Sequence, residues 1–172
     1  MERSGKLRIA GVVRRIERDD DDVFRGQYEH TVDAKGRTSL PARFREVLAV
    51  AGETRLVITT ALDTECLVAY PLREWEAFEE RLSRVSSFDA DVVQLKRRYV
   101  SRAVECDLDK LGRLQLPPKL REYAKLERDV LWAGMGKNCE LWDKARFEIA
   151  NDAPLPEVDR VAMARRLAEL GL

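Results

Sequence analysis

The sequence predicts an α+β protein, rich in β-strand, made from two tandem copies of one unit. Three observations predict it. The stretch Asp33-Ala34-Lys35-Gly36-Arg37-Thr38-Ser39-Leu40-Pro41-Ala42-Arg43-Phe44-Arg45-Glu46 recurs as Asp109-Lys110-Leu111-Gly112-Arg113-Leu114-Gln115-Leu116-Pro117-Pro118-Lys119-Leu120-Arg121-Glu122. The offset is a constant 76, seven of the fourteen positions are identical, and Arg43/Lys119 and Phe44/Leu120 keep charge or apolarity. Around these copies, short alternating runs suit strands, and farther along the chain apolar residues fall at helical spacing.

Within each copy, Asp at the first position and Gly at the fourth fit a type I turn, with Gly36 or Gly112 left-handed and closing a bulged hairpin. Hairpin tips are therefore predicted at residues 33–36 and 109–112. Tyr28-Glu29-His30-Thr31-Val32 leads into the first tip and Arg37-Thr38-Ser39-Leu40 leaves it. Pro41 and Pro117 then force the preceding leucines into extended geometry and suit the first position of a helix. Short helices are predicted over 41–49 and 117–125.

Residues 1–22 differ from everything after them. A basic and aliphatic stretch, Lys6 to Arg18, runs into Asp19-Asp20-Asp21-Asp22, and self-repelling charge of this kind predicts a disordered extension. After the first copy, Leu56-Val57-Ile58-Thr59-Thr60 and Cys66-Leu67-Val68-Ala69-Tyr70 should pair as a second hairpin. Pro71 opens a helix with Trp75, Phe78, Leu82 and Val85 on one face, and a further helix runs from Asp89 to Tyr99 with Lys96-Arg97-Arg98 at its end. Val100 to Leu108 enters the second tip. Val130-Leu131-Trp132-Ala133 and Glu140-Leu141-Trp142 repeat the later hairpin, and Glu157 to Leu170 forms a closing helix. The predicted division is an extension at 1–22, a first repeat with connecting helices at 23–102, a second repeat at 103–150 and a C-terminal helix at 151–172. The duplication argues for two compact half-domains.

Composition narrows the function. Lys plus Arg and Asp plus Glu both number 31, so any basic footprint must be local. Cys66, Cys106 and Cys139 are widely spaced, with His30 the single histidine, which argues against a zinc site or a disulfide framework and for buried apolar cysteines. There is no eighteen-residue apolar run, no signal-peptide pattern and no glycine-rich phosphate loop. A cytoplasmic protein without a cofactor is expected.

Phe24-Arg25-Gly26, the paired Asp-x-x-Gly-Arg tips, the Leu-Pro after each and the Tyr70-Pro71…Trp75 transition resemble the MraZ family over about residues 23–172. The resemblance implies a bacterial transcriptional regulator made of two AbrB-like swapped-hairpin β-barrel repeats. It further implies assembly into a ring-shaped homo-oligomer and contact with double-stranded DNA through the basic hairpin tips, at the promoter of the division and cell-wall gene cluster. Nucleoid association follows. Two departures stand out. Val23 occupies the place of the family's initiating methionine, so a start at Val23 from a GTG codon is expected, and Leu111 stands where the first tip has Lys35.

The DNA-binding candidates are Lys35, Arg37, Lys110, Arg113 and Arg25, with Arg43 and Arg45 weaker. A cation at a hairpin tip can reach phosphates or base edges in a groove, as β-ribbon readers do. Spacing alone leaves a second reading open, in which each tip is a solvated turn with its Arg paired to the turn Asp. Two rival functions also remain. One is a structural or antitoxin-like partner-binding module of the same fold. The other is an enzyme, for which one His and scattered acids supply no nucleophile, base and orienting group.

Overall fold

The computed structural model describes residues 23–172. The predicted extension at 1–22 lies outside the described residues. In chain order the elements are β1 (Gln27–Thr31), β2 (Arg37–Ser39), α1 (Ala42–Val50), β3 (Arg55–Thr60), β4 (Leu67–Pro71), α2 (Leu72–Ser83) and α3 (Ala90–Arg98). A 3-10 turn, Val100–Arg102, follows, then β5 (Val104–Asp107), β6 (Arg113–Gln115), α4 (Pro118–Tyr123), β7 (Asp129–Gly134), β8 (Cys139–Asp143), α5 (Lys144–Asn151) and α6 (Glu157–Glu169).

Strand pairing crosses between the two copies. The six-stranded sheet has the order β1-β7-β8-β4-β3-β5, antiparallel throughout. Each copy's later hairpin forms as predicted, β3 with β4 and β7 with β8. Each copy's first strand goes to the other copy's hairpin: β1 pairs with β7 and β5 pairs with β3. The short β2 and β6 pair with each other as a separate two-stranded ribbon.

The predicted β-barrels are corrected to this open sheet and ribbon. β1 and β5 are edges, each with a single ladder partner in the sheet. The strands that follow them could only bridge those edges if they were longer. Pro41 and Pro117 lie two residues past β2 and β6, and a residue without an N–H cannot extend a ladder. The same prolines sit one position earlier than expected, at the N-caps of α1 and α4, with Pro118 the residue at the first helical position.

One core joins both copies. Phe24, Leu40, Phe44, Val47, Leu48, Leu56 and Ile58 from the first copy pack in one buried cluster with Leu114, Leu116, Leu120, Val130, Trp132 and Leu141 from the second. Phe44, Val47 and Leu48 follow helical spacing, so α1 lays one stripe on this core. The indole Nε1 of the fully buried Trp132 donates to the Ser39 carbonyl at 3.2 Å, tying sheet to ribbon. A second apolar cluster gathers Val57, Trp75 and Tyr99 under α2, where Tyr70 and Tyr99 share a 2.8 Å hydroxyl hydrogen bond.

The predicted helix face on α2 is buried at Trp75 and Leu82, whereas Val85, expected on the same face, is exposed and lies past the helix end at Ser83. α6 forms as predicted, but its Val158, Val161, Met163 and Leu167 are all exposed. The three cysteines are buried free thiols, and burial pushes Cys106 up to about 11. Among the described residues no helix is long and apolar enough to cross a membrane.

Candidate nucleic-acid interface

The two hairpin tips have matching internal chemistry. In the first, the Gly36 N–H donates to the Asp33 carbonyl at 2.8 Å and the Asp33 N–H to the Arg37 carbonyl at 2.9 Å. One carboxylate oxygen of Asp33 accepts from the backbone N–H groups of Lys35 and Arg37, both at 2.9 Å. The other accepts from Arg37 Nε at 2.8 Å and Nη2 at 2.7 Å. The second tip repeats each bond: Asp109 accepts from the Leu111 and Arg113 N–H groups at 2.9 Å, from Arg113 Nε at 2.9 Å and from Nη2 at 2.8 Å. Gly36 and Gly112 have φ of 78° and 72°, left-handed values that a residue with a Cβ adopts only under strain.

These bonds hold the carboxylates ionised. The backbone N–H of Arg37, then its guanidinium, pull Asp33 down to about 2, and the N–H of Arg113 likewise leads in lowering Asp109. The pairing of each Arg with its turn Asp, one of the two readings left open by spacing, is thus present. It does not use the guanidinium up. A guanidinium has five N–H donors, so three remain on the Nη side of Arg37 and of Arg113. A bidentate carboxylate contact also fixes the direction in which those three point.

The β2–β6 ribbon decides where the tips lie. Its register pairs Arg37 with Gln115, Thr38 with Leu114 and Ser39 with Arg113. Beyond the ladder, the Leu116 N–H donates to the Gly36 carbonyl and the Leu40 N–H to the Gly112 carbonyl, both at 2.9 Å. Gln115 Nε2 adds a 2.6 Å bond to the Lys35 carbonyl. The tips therefore sit at opposite ends of one ribbon, four residues or about 13 Å apart along it.

Lys35, Arg37, Lys110 and Arg113 are brought onto this one ribbon. Arg25 is not among them: Phe24 bridges to Gly136, and the whole of β1 separates Arg25 from the first tip, roughly 25 Å of extended chain. Arg43 faces Glu46 at 3.0 Å on α1. The basic run Lys96-Arg97-Arg98 closes α3, with the Arg98 carbonyl accepting from Thr60 Oγ1.

One residue at the tips was missed by the sequence reading. A Cβ built on Gly36 would lie 2.7 Å from Cζ of Arg121, so that guanidinium covers the first tip's glycine. At the second tip a Cβ on Gly112 would lie 2.5 Å from Cδ and 2.6 Å from Nη1 of Arg45. Arg121 belongs to α4 of the second copy and Arg45 to α1 of the first. The signal was present, since 45 plus 76 is 121 and both residues are Arg. Which helix covers which tip follows only from the exchanged ribbon.

Kinship supplies first the class: the relatives of this chain are transcriptional regulators. The family described as "MraZ protein, putative antitoxin-like" matches residues 23–98 and 100–160. A protein named transcriptional regulator MraZ from Anaeromyxobacter sp. (strain Fw109-5) is 42% identical over 138 residues, covering 79% of this chain and 95% of its own length. Another so named, from Desulfitobacterium hafniense (strain DSM 10664 / DCB-2), is 41% identical over 150 residues, covering 87% of this chain and all of its own. A third, from Limosilactobacillus fermentum (strain NBRC 3956 / LMG 18251), is 41% identical over 140 residues. The chain belongs to the MraZ family.

Proposed function

We propose that this protein is a sequence-specific DNA-binding regulator of transcription that reads promoter DNA with its two hairpin tips. The observation that carries the reading is the pair of Asp-braced arginines, Arg37 and Arg113, presented from the two ends of one short ribbon. B-DNA's major groove is about 12 Å wide and admits a two-stranded β-ribbon, and an Arg whose inner edge is braced by carboxylate can give its outer N–H groups to guanine O6 and N7. Lys35 and Lys110 then serve as phosphate contacts. Arg25, at the far end of β1, is assigned at most a backbone contact outside the groove.

The finer parts belong to the same proposal. The sequence units 23–102 and 103–150 are AbrB-like repeats whose swapped-hairpin exchange occurs within one chain, and 151–172 is a terminal helix. The protein acts in the cytoplasm on the nucleoid, at direct repeats in the promoter of the division and cell-wall cluster, without catalysis or a cofactor. Ring-shaped self-association supplies many tips. A single tip carries too few cations to lift binding above the nonspecific range of about 10⁻⁴–10⁻⁶ M, and linked engagement of several repeats adds roughly 10²–10⁴.

Titration of duplexes carrying one, two and three repeats from upstream of the protein's own gene tests this. Arg37→Ala is expected to weaken operator binding by about 1–3 kcal/mol and to relax sequence preference. Unchanged operator affinity in an Arg37→Ala protein that folds and assembles normally would reject the site. Failure of the wild type to prefer its operator over random DNA would favour the partner-binding module instead.

A further inference from the structure

We infer that each hairpin tip is completed by an arginine of the other copy, Arg121 at the first tip and Arg45 at the second, and that these two arginines contact DNA phosphates. The inference rests on the DNA-binding reading and adds residues to its site. Its ground is the crossed placement, in which the guanidinium of Arg121 covers Gly36 and that of Arg45 covers Gly112.

The crossing is a consequence of antiparallel pairing. β2 runs from the first tip toward the second, so the helix that follows it, α1, begins beside the second tip; β6 runs the other way and delivers α4 to the first. The bonds from Leu40 to Gly112 and from Leu116 to Gly36 pin those helix starts against the tips, and Arg121 Nε donates to the Leu116 carbonyl at 3.3 Å within the same junction. Neither copy alone could place its helix arginine on its own tip.

Charge then says what these residues are for. At each tip the turn Asp and its Arg cancel as a tight pair, which leaves Lys35 and Arg121 as the surplus cations of the first tip and Lys110 and Arg45 as those of the second. Among the described residues, neither Arg45 nor Arg121 is in an ion pair. Arg45 instead stands near His30, whose protonation is disfavoured first by burial and then by this positive charge. Cations left without a counter-charge beside a groove-sized ribbon suit a phosphate, whose negative charge they meet through a planar donor fork. The requirement for glycine at 36 and 112 gains a second cause: a Cβ there would push the guanidinium off the tip, in addition to straining the turn.

The salt dependence of DNA binding separates this from a packing role. Wild type, Arg121→Ala, Arg121→Lys and Arg45→Ala are titrated, by fluorescence anisotropy over a range of salt, with the promoter duplex and with a random duplex of equal length. For each engaged tip, loss of one phosphate contact is expected to make the slope of log K against log salt shallower by about 0.9 and to weaken both duplexes about fivefold near physiological salt. Arg121→Lys should restore the slope. An unchanged slope in Arg121→Ala, with thermal melting and oligomer size matching wild type, overturns the inference and leaves the tip assignment standing. Absence of salt-dependent binding by wild type overturns both.

Discussion

In the first copy, the angle between edge strand β1 and helix α1 is filled by aromatic rings: Phe24 and Tyr28 meet Phe44 edge-on, with centroids 5.1 and 5.2 Å away. At the matching place in the second copy, Val100, Val104 and Leu120 stand where the offset of 76 puts Phe24, Tyr28 and Phe44. There the space between β5 and α4 is an open groove of about 910 Å³, lined in part by Val104, Pro118, Leu120 and Tyr123. The sheet partners differ in the same sense, with Tyr28 opposite Trp132 on one side and Val104 opposite Ile58 on the other. Duplication has kept the backbone plan and let side-chain volume diverge, because strand pairing depends on backbone groups and packing on shape.

The largest effect expected from this contrast is on stability. Phe44→Ala would empty a closed, fully buried site and remove the ring that both Phe24 and Tyr28 meet edge-on, at about 3–5 kcal/mol. Leu120→Ala would enlarge a groove already open to solvent, and its loss should fall near the bottom of the usual range, about 2 kcal/mol. Urea unfolding of the two variants makes the comparison. Equal losses would show that the groove is not the energetic difference between the halves.

A smaller effect belongs to the tips, which share their braced arginine and differ at two positions, Ala34 against Lys110 and Lys35 against Leu111, the last 66% exposed. Leu111→Lys should place a cation at the position of Lys35, beside the second tip's own Lys110, and steepen the salt dependence of DNA binding by about 0.9 for each tip that gains a phosphate contact. Lys35→Leu should do the reverse. If the two exchanges leave binding untouched, the tips do not differ in the way their sequences do.

The finest test is titration of the turn carboxylates. Asp33, at about 2 against an ordinary 3.8, and Asp109, also lowered, have folded-state values below their unfolded ones. Their contribution is therefore complete above about pH 4 and is lost as the pH falls through about 2. Carboxyl NMR should place the Asp33 midpoint near 2, and Arg37→Ala should raise it only part of the way to 3.8, because the backbone N–H groups remain. A full return to 3.8 would mean that the guanidinium alone, not the turn, holds the charge.

How far each feature could be read ahead of the structure follows from the range of the interactions involved. The tips were legible because Asp33 and Gly36, or Asp109 and Gly112, close their turn within four residues, and such contacts depend on local spacing alone. α1, α2, α4 and the paired hairpins were legible for the same reason, since helical and alternating periods report on neighbours in sequence. Residue identity likewise determined that Arg37 and Arg113 would have an Asp within reach, and that the three cysteines would behave as apolar residues.

Tertiary structure decided the rest. Two copies of one plan offer each first strand two comparable partners, and no local pattern states whether β1 joins its own copy's hairpin or the other's. The choice was made by a shared core in which Phe44, Leu120 and Trp132 are buried together, and it is non-local, with β1 and β7 about a hundred residues apart. From that exchange come the single six-stranded sheet that runs through both copies, the bridge from Phe24 to Gly136 that holds Arg25 off the ribbon, and the arrival of Arg121 and Arg45 on each other's tips. Local chemistry is written in the spacing of residues along the chain; which copy completes which site is settled only when both compete for the same buried surface.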